Sequence, residues 1–278
     1  MVSAATEIIA SENSGLDGGW TVVLPRHAKR HRARPKLLFP KQKNQSWAPN
    51  DLQIDVGRES KLMQKIQICM KQLESSRFFE LFLAQIHDHT VLDHFVRVLH
   101  SEPKMEMVIY GIGSIECFES PRLQLCLAIL MKGKFDWIGD IKVFDPLLSA
   151  TECRVLEALG CSVLTVNEEA RRPAVKPTLF FMPHCEAVLY NNLLEANWRV
   201  DRLRNLALFG NSFGSYEQHL SLVKDPAVAD SRKYILAAAQ SFGVEFRIQT
   251  VSDYYFNAFH ESCWHFFSPD NGHGLPIV

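Results

Sequence analysis

Met107-Val108-Ile109-Tyr110-Gly111-Ile112-Gly113-Ser114 is an apolar run that breaks into glycines, and a helix start follows at Ser120-Pro121. A strand, a glycine turn and a helix in that order open a Rossmann-like domain, and ligands in such folds lie at that turn. Ser120 is expected to cap the helix by accepting a free backbone N–H. Pro121 then takes the first helical position, where no donor is needed.

Beyond this unit the chain alternates in the manner of successive βα units. Residues 140–144 read as a strand ending at Asp145-Pro146, and Ser149-Ala150-Thr151-Glu152 spells a capping box opening a helix that Gly160 stops. Further strands are expected at 161–166, 178–183 and 206–210, with a helix through Leu189, Leu193 and Leu194. Residues 232–242 look helical and 244–251 extended. Strands that are apolar throughout, set between helices, imply a mostly parallel sheet covered on both faces, and right-handed crossovers make it doubly wound.

Upstream, residues 59–100 carry Leu62, Ile66, Cys69 and Leu73, then Val91, Phe95, Val98 and Leu99, at helical spacing. This predicts two amphipathic helices as an N-terminal cap over 56–104, within a single α/β domain of residues 56–278. His87, His89, His94 and His100 also fall here. No Cys or carboxylate completes a ligand spacing around them, so packed or exposed histidines are expected and no metal.

Residues 1–55 are rich in Gly, Pro, Lys, Arg and Gln and read as a disordered basic tail. Its apolar island, Trp20-Thr21-Val22-Val23-Leu24-Pro25, suits a docking peptide. Eight Lys or Arg lie from Arg26 to Lys43, with no Asp or Glu between Asp17 and Asp51. Within that run, Arg26, Lys29, Arg30, Arg32, Arg34 and Lys36 have the charge density of a nuclear import signal or a nucleic-acid contact, and equally of a solubilising tail.

The chain as a whole, 278 residues with net charge −1 and 47% apolar, is neither a polyanion binder nor disordered. Seven cysteines, an odd number without a C-x-x-C pair, fit a reducing compartment better than a disulfide framework. No apolar stretch approaches the length of a membrane span, and the start lacks a signal-peptide pattern, so no membrane association is expected.

Ligands in a doubly wound sheet lie beyond the carboxyl ends of the strands. The polar residues expected there are Gly111, Gly113, Ser114 and Glu116, then Asp145, then Pro183 and His184, then Asn211 and Ser212. A glycine loop near an acidic strand end suits S-adenosylmethionine or a nucleotide. In the dinucleotide fingerprint, however, a glycine stands where this chain has Glu116, and Asp145 is 32 residues past Gly113 rather than about 20. Glu116 would repel a pyrophosphate, which leaves a methyltransferase-like pocket as the better enzymatic reading.

Two other constellations invite chemistry. His184-Cys185-Glu186 offers acid-base or thiol groups, although adjacent side chains do not all point one way, and a histidine bonded to backbone carbonyls explains it as well. Gly210-Asn211-Ser212-Phe213-Gly214 matches a nucleophile elbow, with Asp253 and His260 following in triad order. The segment after Ser212 is short for a hydrolase, and no helix is evident directly after Gly214. The aromatic block Tyr254-Tyr255-Phe256, Phe259-His260 and Trp264-His265-Phe266-Phe267 reads first as core closure and second as a lid or partner surface.

Taken together, Val108 to Glu116, Ser120-Pro121-Arg122, Phe144-Asp145-Pro146, Leu159-Gly160-Cys161, Pro183-His184-Cys185, Gly210-Asn211-Ser212-Phe213 and Trp264-His265-Phe266-Phe267 resemble the plant "sensitivity to red light reduced" family. The resemblance runs from about Trp20 to Phe267. It implies a regulator of a circadian clock input pathway and of phytochrome B-linked red-light signalling, influencing clock genes and flowering. It further implies residence in nucleus and cytoplasm and signalling proteins as partners, with nucleic acid a candidate contact of the basic tail. It carries over no catalytic residues, so a non-enzymatic role is the expectation and a strand-end enzyme or sensor the alternative.

Overall fold

The computed structural model describes residues 46–49, 51–222, 230–250, 253–269 and 275–278. The Trp20 island and the basic residues from Arg26 to Lys36 lie outside them. The chain enters through three helices, α1 (Val56–Glu74), α2 (Arg77–His87) and α3 (His89–Leu99). Two were expected. Ser76 accepts from the Phe79 N–H at 3.1 Å and Asp88 from the Thr90 N–H at 2.9 Å, so each starts a new helix and breaks the periodic run. Leu62, Ile66, Cys69, Leu73, Val91, Phe95 and Val98 are all buried, as their spacing predicts.

The alternation follows as β1 (Met105–Tyr110), α4 (Glu119–Lys134), β2 (Ile138–Phe144), α5 (Ala150–Ala158), β3 (Cys161–Val163), β4 (Thr178–Met182) and α6 (Ala187–Ala196). After it come α7 (Val200–Leu203), β5 (Leu206–Asn211), α8 (Phe213–Leu222), α9 (Lys233–Ser241), β6 (Gly243–Arg247), α10 (Asp253–Phe259) and β7 (Ser262–Phe267). The described strands form one sheet in the order β3-β2-β1-β4-β5-β7-β6. β1 to β5 are parallel, while β7 runs antiparallel between β5 and β6. This is a Rossmann-like, mostly parallel, doubly wound sheet. Its order reverses between β1 and β4, which makes their carboxyl ends the switch point where such sheets place ligands.

Both faces are covered, and the strands divide their side chains between them. Met107, Ile109, Phe181 and Phe209 face one core with α1 to α4, while Val108, Phe180, Met182 and Leu208 face the other with α6 and α9. The C-terminal aromatic block closes the first core. Trp264 is fully buried, 4.7 Å from Phe209 and 5.1 Å from Phe95 between ring centroids. Such ring pairs each add about 0.5–1.5 kcal/mol beyond their burial.

Four sequence expectations shift. Ser120 is not the cap of α4. The helix begins at Glu119 with Phe118 as N-cap, because the turn from Ser114 closes earlier through the Phe118 N–H on the Ser114 carbonyl at 3.2 Å. Pro121 is tolerated third in the helix, where an N–H has no intrahelical acceptor anyway. β3 is three residues long, since the Thr165 carbonyl takes the Trp47 N–H at 2.6 Å and Val166 bridges Ser46.

The third shift is that residues 46–49 and 51–54, read as the end of the tail, lie on the domain. Trp47 packs edge-on to Phe144 at 5.4 Å, and the Asp51 carbonyl accepts the Ala150 N–H at 2.9 Å. The fourth is that Ser262–Phe267 is an inserted strand, buried at every position. The capping box at Ser149 and Glu152 is present in full, and Gly160, at φ +79°, ends α5 as expected.

Candidate functional site

The loop after β1 leaves the sheet through two left-handed glycines, Gly111 at φ +67° and Gly113 at φ +75°. A Cβ at Gly111 would lie 2.5 Å from the Cys185 Sγ, so no larger residue fits there. Two of the N–H groups that such a loop would offer to a ligand are engaged by carboxylates of the chain itself. The Gly113 N–H donates to Asp145 Oδ2 at 2.7 Å, and the Glu116 N–H donates to Glu152 Oε1 at 2.9 Å. Ser114 Oγ donates to the same Glu152 oxygen at 2.7 Å.

Asp145 is 4% exposed at the end of β2 and also accepts the Leu147 N–H at 2.8 Å. Burial raises its carboxyl above the ordinary aspartate value, against the two backbone donors that lower it. Glu116 points elsewhere. Its carboxylate takes a forked pair of bonds from Arg58 at 2.9 and 2.6 Å, and Arg58 also reaches Asp51 at 2.9 Å. The Arg58 bond, first among its causes, holds Glu116 below the ordinary glutamate value. Glu116 thus ties α1 to the glycine loop.

The end of β4 brings His184 into a left-handed conformation at φ 59° behind the buried Pro183. The His184 N–H donates to Asn211 Oδ1 at 2.7 Å, its Nε2 lies 3.2 Å from the His260 carbonyl, and the two imidazoles are 4.4 Å apart. Desolvation first, and the neighbouring His260 second, lower the His184 pKa below the ordinary histidine value. Cys185 turns inward. Its Sγ donates to the Tyr110 carbonyl at 3.2 Å, and burial pushes the thiol well up, which makes it a packing group and not a nucleophile. Glu186 is exposed, so the His-Cys-Glu triple does not converge.

At the end of β5, Asn211 links strand ends, accepting from His184 and donating to the Cys185 carbonyl at 3.2 Å and Tyr216 Oη at 3.0 Å. Ser212 Oγ donates to Glu245 Oε1 at 2.6 Å, and the Phe213 N–H donates to Glu245 Oε2 at 2.8 Å. Glu245 Oε2 lies 3.6 Å from His265 Nδ1. A helix does follow this serine at once, contrary to the expectation. A hydrolase triad does not form, because the hydroxyl meets a carboxylate, and His260 Nδ1 faces the Phe256 carbonyl at 3.1 Å.

The predicted residues therefore share one edge but form two clusters: Gly111, Gly113, Ser114 and Asp145 with Glu152, and Pro183, His184, Asn211 and Ser212 with Glu245 and His265. Arg58, Gln124, Glu245 and His265 escaped sequence reasoning. Gln124 donates to the Ala258 carbonyl at 2.9 Å from a buried position, and only its polarity inside an apolar helix could have marked it. Among the described residues no group of three or more His, Cys, Asp or Glu could hold a metal, and no helix is long and apolar enough to cross a membrane. His87 and His94 sit apart, against Phe135 and Phe266 respectively.

Fold and edge together define a doubly wound α/β protein whose strand-end polar residues bond to one another. The SRR1 domain matches residues 72–266, and the chain belongs to that family. It is 54% identical over 269 residues to Protein SENSITIVITY TO RED LIGHT REDUCED 1 of Arabidopsis thaliana, covering 96% of this chain and 97% of that one. The SRR1-like protein of Mus musculus is 33% identical over 222 residues, 72% of this chain and 87% of that one. Among solved structures, a putative O-methyltransferase from Klebsiella pneumoniae overlaps 75% of this chain and 90% of its own at a TM-score of 0.41 and 10% identity, a likeness that carries no argument.

Proposed function

We propose that this protein is a regulator in red-light signalling, linked to phytochrome B, that feeds a circadian clock and influences clock-gene expression and flowering. The observation that carries this reading is the 54% identity across nearly the full length of a plant protein named for red-light sensitivity. The protein works in nucleus and cytoplasm by contact with signalling proteins, and the basic run from Arg26 to Lys36 serves nuclear entry. Contact is supported by large apolar side chains left exposed at the carboxyl edge: Phe118 after the glycine loop, Leu147 after β2, Val188 opening α6 and Phe256 on α10.

The test is expression of this chain in an Arabidopsis line lacking that relative, read as red-light response and clock period. Restoration of both is expected, and a line that accumulates the protein yet stays unresponsive overturns the reading. Replacing Arg30, Arg32 and Arg34 by Gln should lower nuclear accumulation of a tagged protein, and an unchanged distribution removes the import role.

A second reading, an S-adenosylmethionine-binding, methyltransferase-like enzyme or sensor, is favoured by the two left-handed glycines at the switch point with Asp145 against them. A nucleotide's phosphates fit less well, because Asp145 and Glu152 already hold the Gly113 and Glu116 N–H groups of the loop and add negative charge beside it. S-adenosylmethionine in large excess over its dissociation constant would raise stability by about 2.7 kcal/mol, a few degrees in Tm. A shift present in the wild type and lost in Gly113→Val supports this second reading, and no shift removes it.

A further inference from the structure

The geometry points to a second binding site on the opposite edge of the sheet, where a lysine-lined cavity takes a small, multiply charged anion of the phosphate class. The cavity, about 410 Å³, opens where the chain enters β1 and β2 and approaches β4. That volume lies within the roughly 300–1,000 Å³ of ordinary small-molecule sites. Its charged lining is Lys104, Lys132, Lys142 and Lys176 against Glu106 and Asp140. Four ammonium groups thus face two carboxylates.

The pairing inside the cavity leaves the cationic surplus at its mouth. The Glu106 side chain is 9% exposed and lies in the floor, bonded by Lys142 and, at 3.1 Å, by Lys176, with Arg172 at 3.8 Å. Burial alone would raise the Glu106 carboxyl. The bonds from the two lysines outweigh it and hold the group ionised below the ordinary glutamate value. Its charge is therefore spent on Lys142 and Lys176.

Among the described residues, Lys104 and Lys132 stand in no ion pair. Lys104 is exposed at the entrance of β1, and Lys132 is half-buried near the end of α4. Two unpaired ammonium groups, above a floor where one carboxylate meets two lysines, suit a compact anion with at least two charges, and each ammonium offers three donors. The fold holds them there: parallel pairing of β1 with β2 sets Met105 opposite Ile138, so Lys104 and Gly139 share the mouth.

The probe is pyrophosphate, titrated calorimetrically into the full chain. The expected result is one saturable event that Lys104→Gln/Lys132→Gln weakens about tenfold or more, since two of the four ammonium groups of the cavity are lost. Arg30→Gln/Arg32→Gln/Arg34→Gln in the basic tail, and Arg97→Gln on α3, should leave it within about twofold, because the binding is assigned to the lysines of the cavity. Absence of any saturable heat at millimolar pyrophosphate overturns the proposal. So does an equal loss in the tail or Arg97 variants, which would make the attraction general. Retention of the native Tm by the lysine double variant separates a binding defect from a folding one.

Discussion

In the loop after β1, Ser114 and the Glu116 N–H both donate to Glu152. In the loop after β5, Ser212 and the Phe213 N–H both donate to Glu245. Each strand end is thus closed by a carboxylate that arrives from elsewhere in the chain. The surroundings differ. Glu152 is 1% exposed and also completes the α5 capping box, beside an Asp145 raised by burial. Glu245 faces His265, which burial lowers to about 4 against the pull of Glu245 itself. The same local device is therefore coupled to acid with opposite signs.

Those signs follow from linkage. Asp145 has a folded pKa above its unfolded one, so its contribution is full at low pH and is lost as pH rises. His265 is held below its unfolded value near 6.5, so its contribution is full above that value and is lost as pH falls towards about 4. Glu245, also lowered in the fold, loses stability in the same direction as His265.

The comparison breaks hardest at Gly111. Gly111→Val forces a branched side chain into a left-handed residue and onto Cys185, at a cost of about 4 kcal/mol from strain and overpacking together. Urea denaturation should show this, and a near-native midpoint would mean that the β1 loop is loosely held. Glu152→Ala comes next, at roughly 3 kcal/mol, because the N–H groups of Glu116 and Ser149 and the Ser114 hydroxyl lose a charged acceptor.

Third is the β5 loop in acid. Going from pH 7 to pH 5 should cost about 2 kcal/mol through His265. His265→Gln should flatten that fall, and an unchanged pH slope in the variant would assign it to other groups. The smallest effect is Ser114→Ala, about 1 kcal/mol, since Glu152 keeps its backbone donors. A loss as large as that of Glu152→Ala would make the hydroxyl the main tie.

The elements that the sequence made legible are those decided by neighbours in the chain. The apolar run into Gly111, the capping box at Ser149 and the stop at Gly160 are local signals, and each lies where it was read. The partners that close the site are not local. Arg58 reaches Glu116 across 58 residues and Glu245 reaches Ser212 across 33, and no periodicity links them. β7 escaped for a related reason. An antiparallel strand buried on both faces loses its alternation, so Trp264 and Phe266 read as core without a direction. The polar residues read at strand ends do lie there, whereas their division into two clusters depends on strand order.

Asp145 and Glu152 close the glycine loop by holding the Gly113 and Glu116 N–H groups, which a phosphate bound there would have to free. Amide NMR of the full chain with saturating ATP tests this closure at the Gly113 and Glu116 resonances. Both resonances should stay unmoved, with any response near Lys104 and Lys132. A saturable shift of Gly113 and Glu116 together would contradict it.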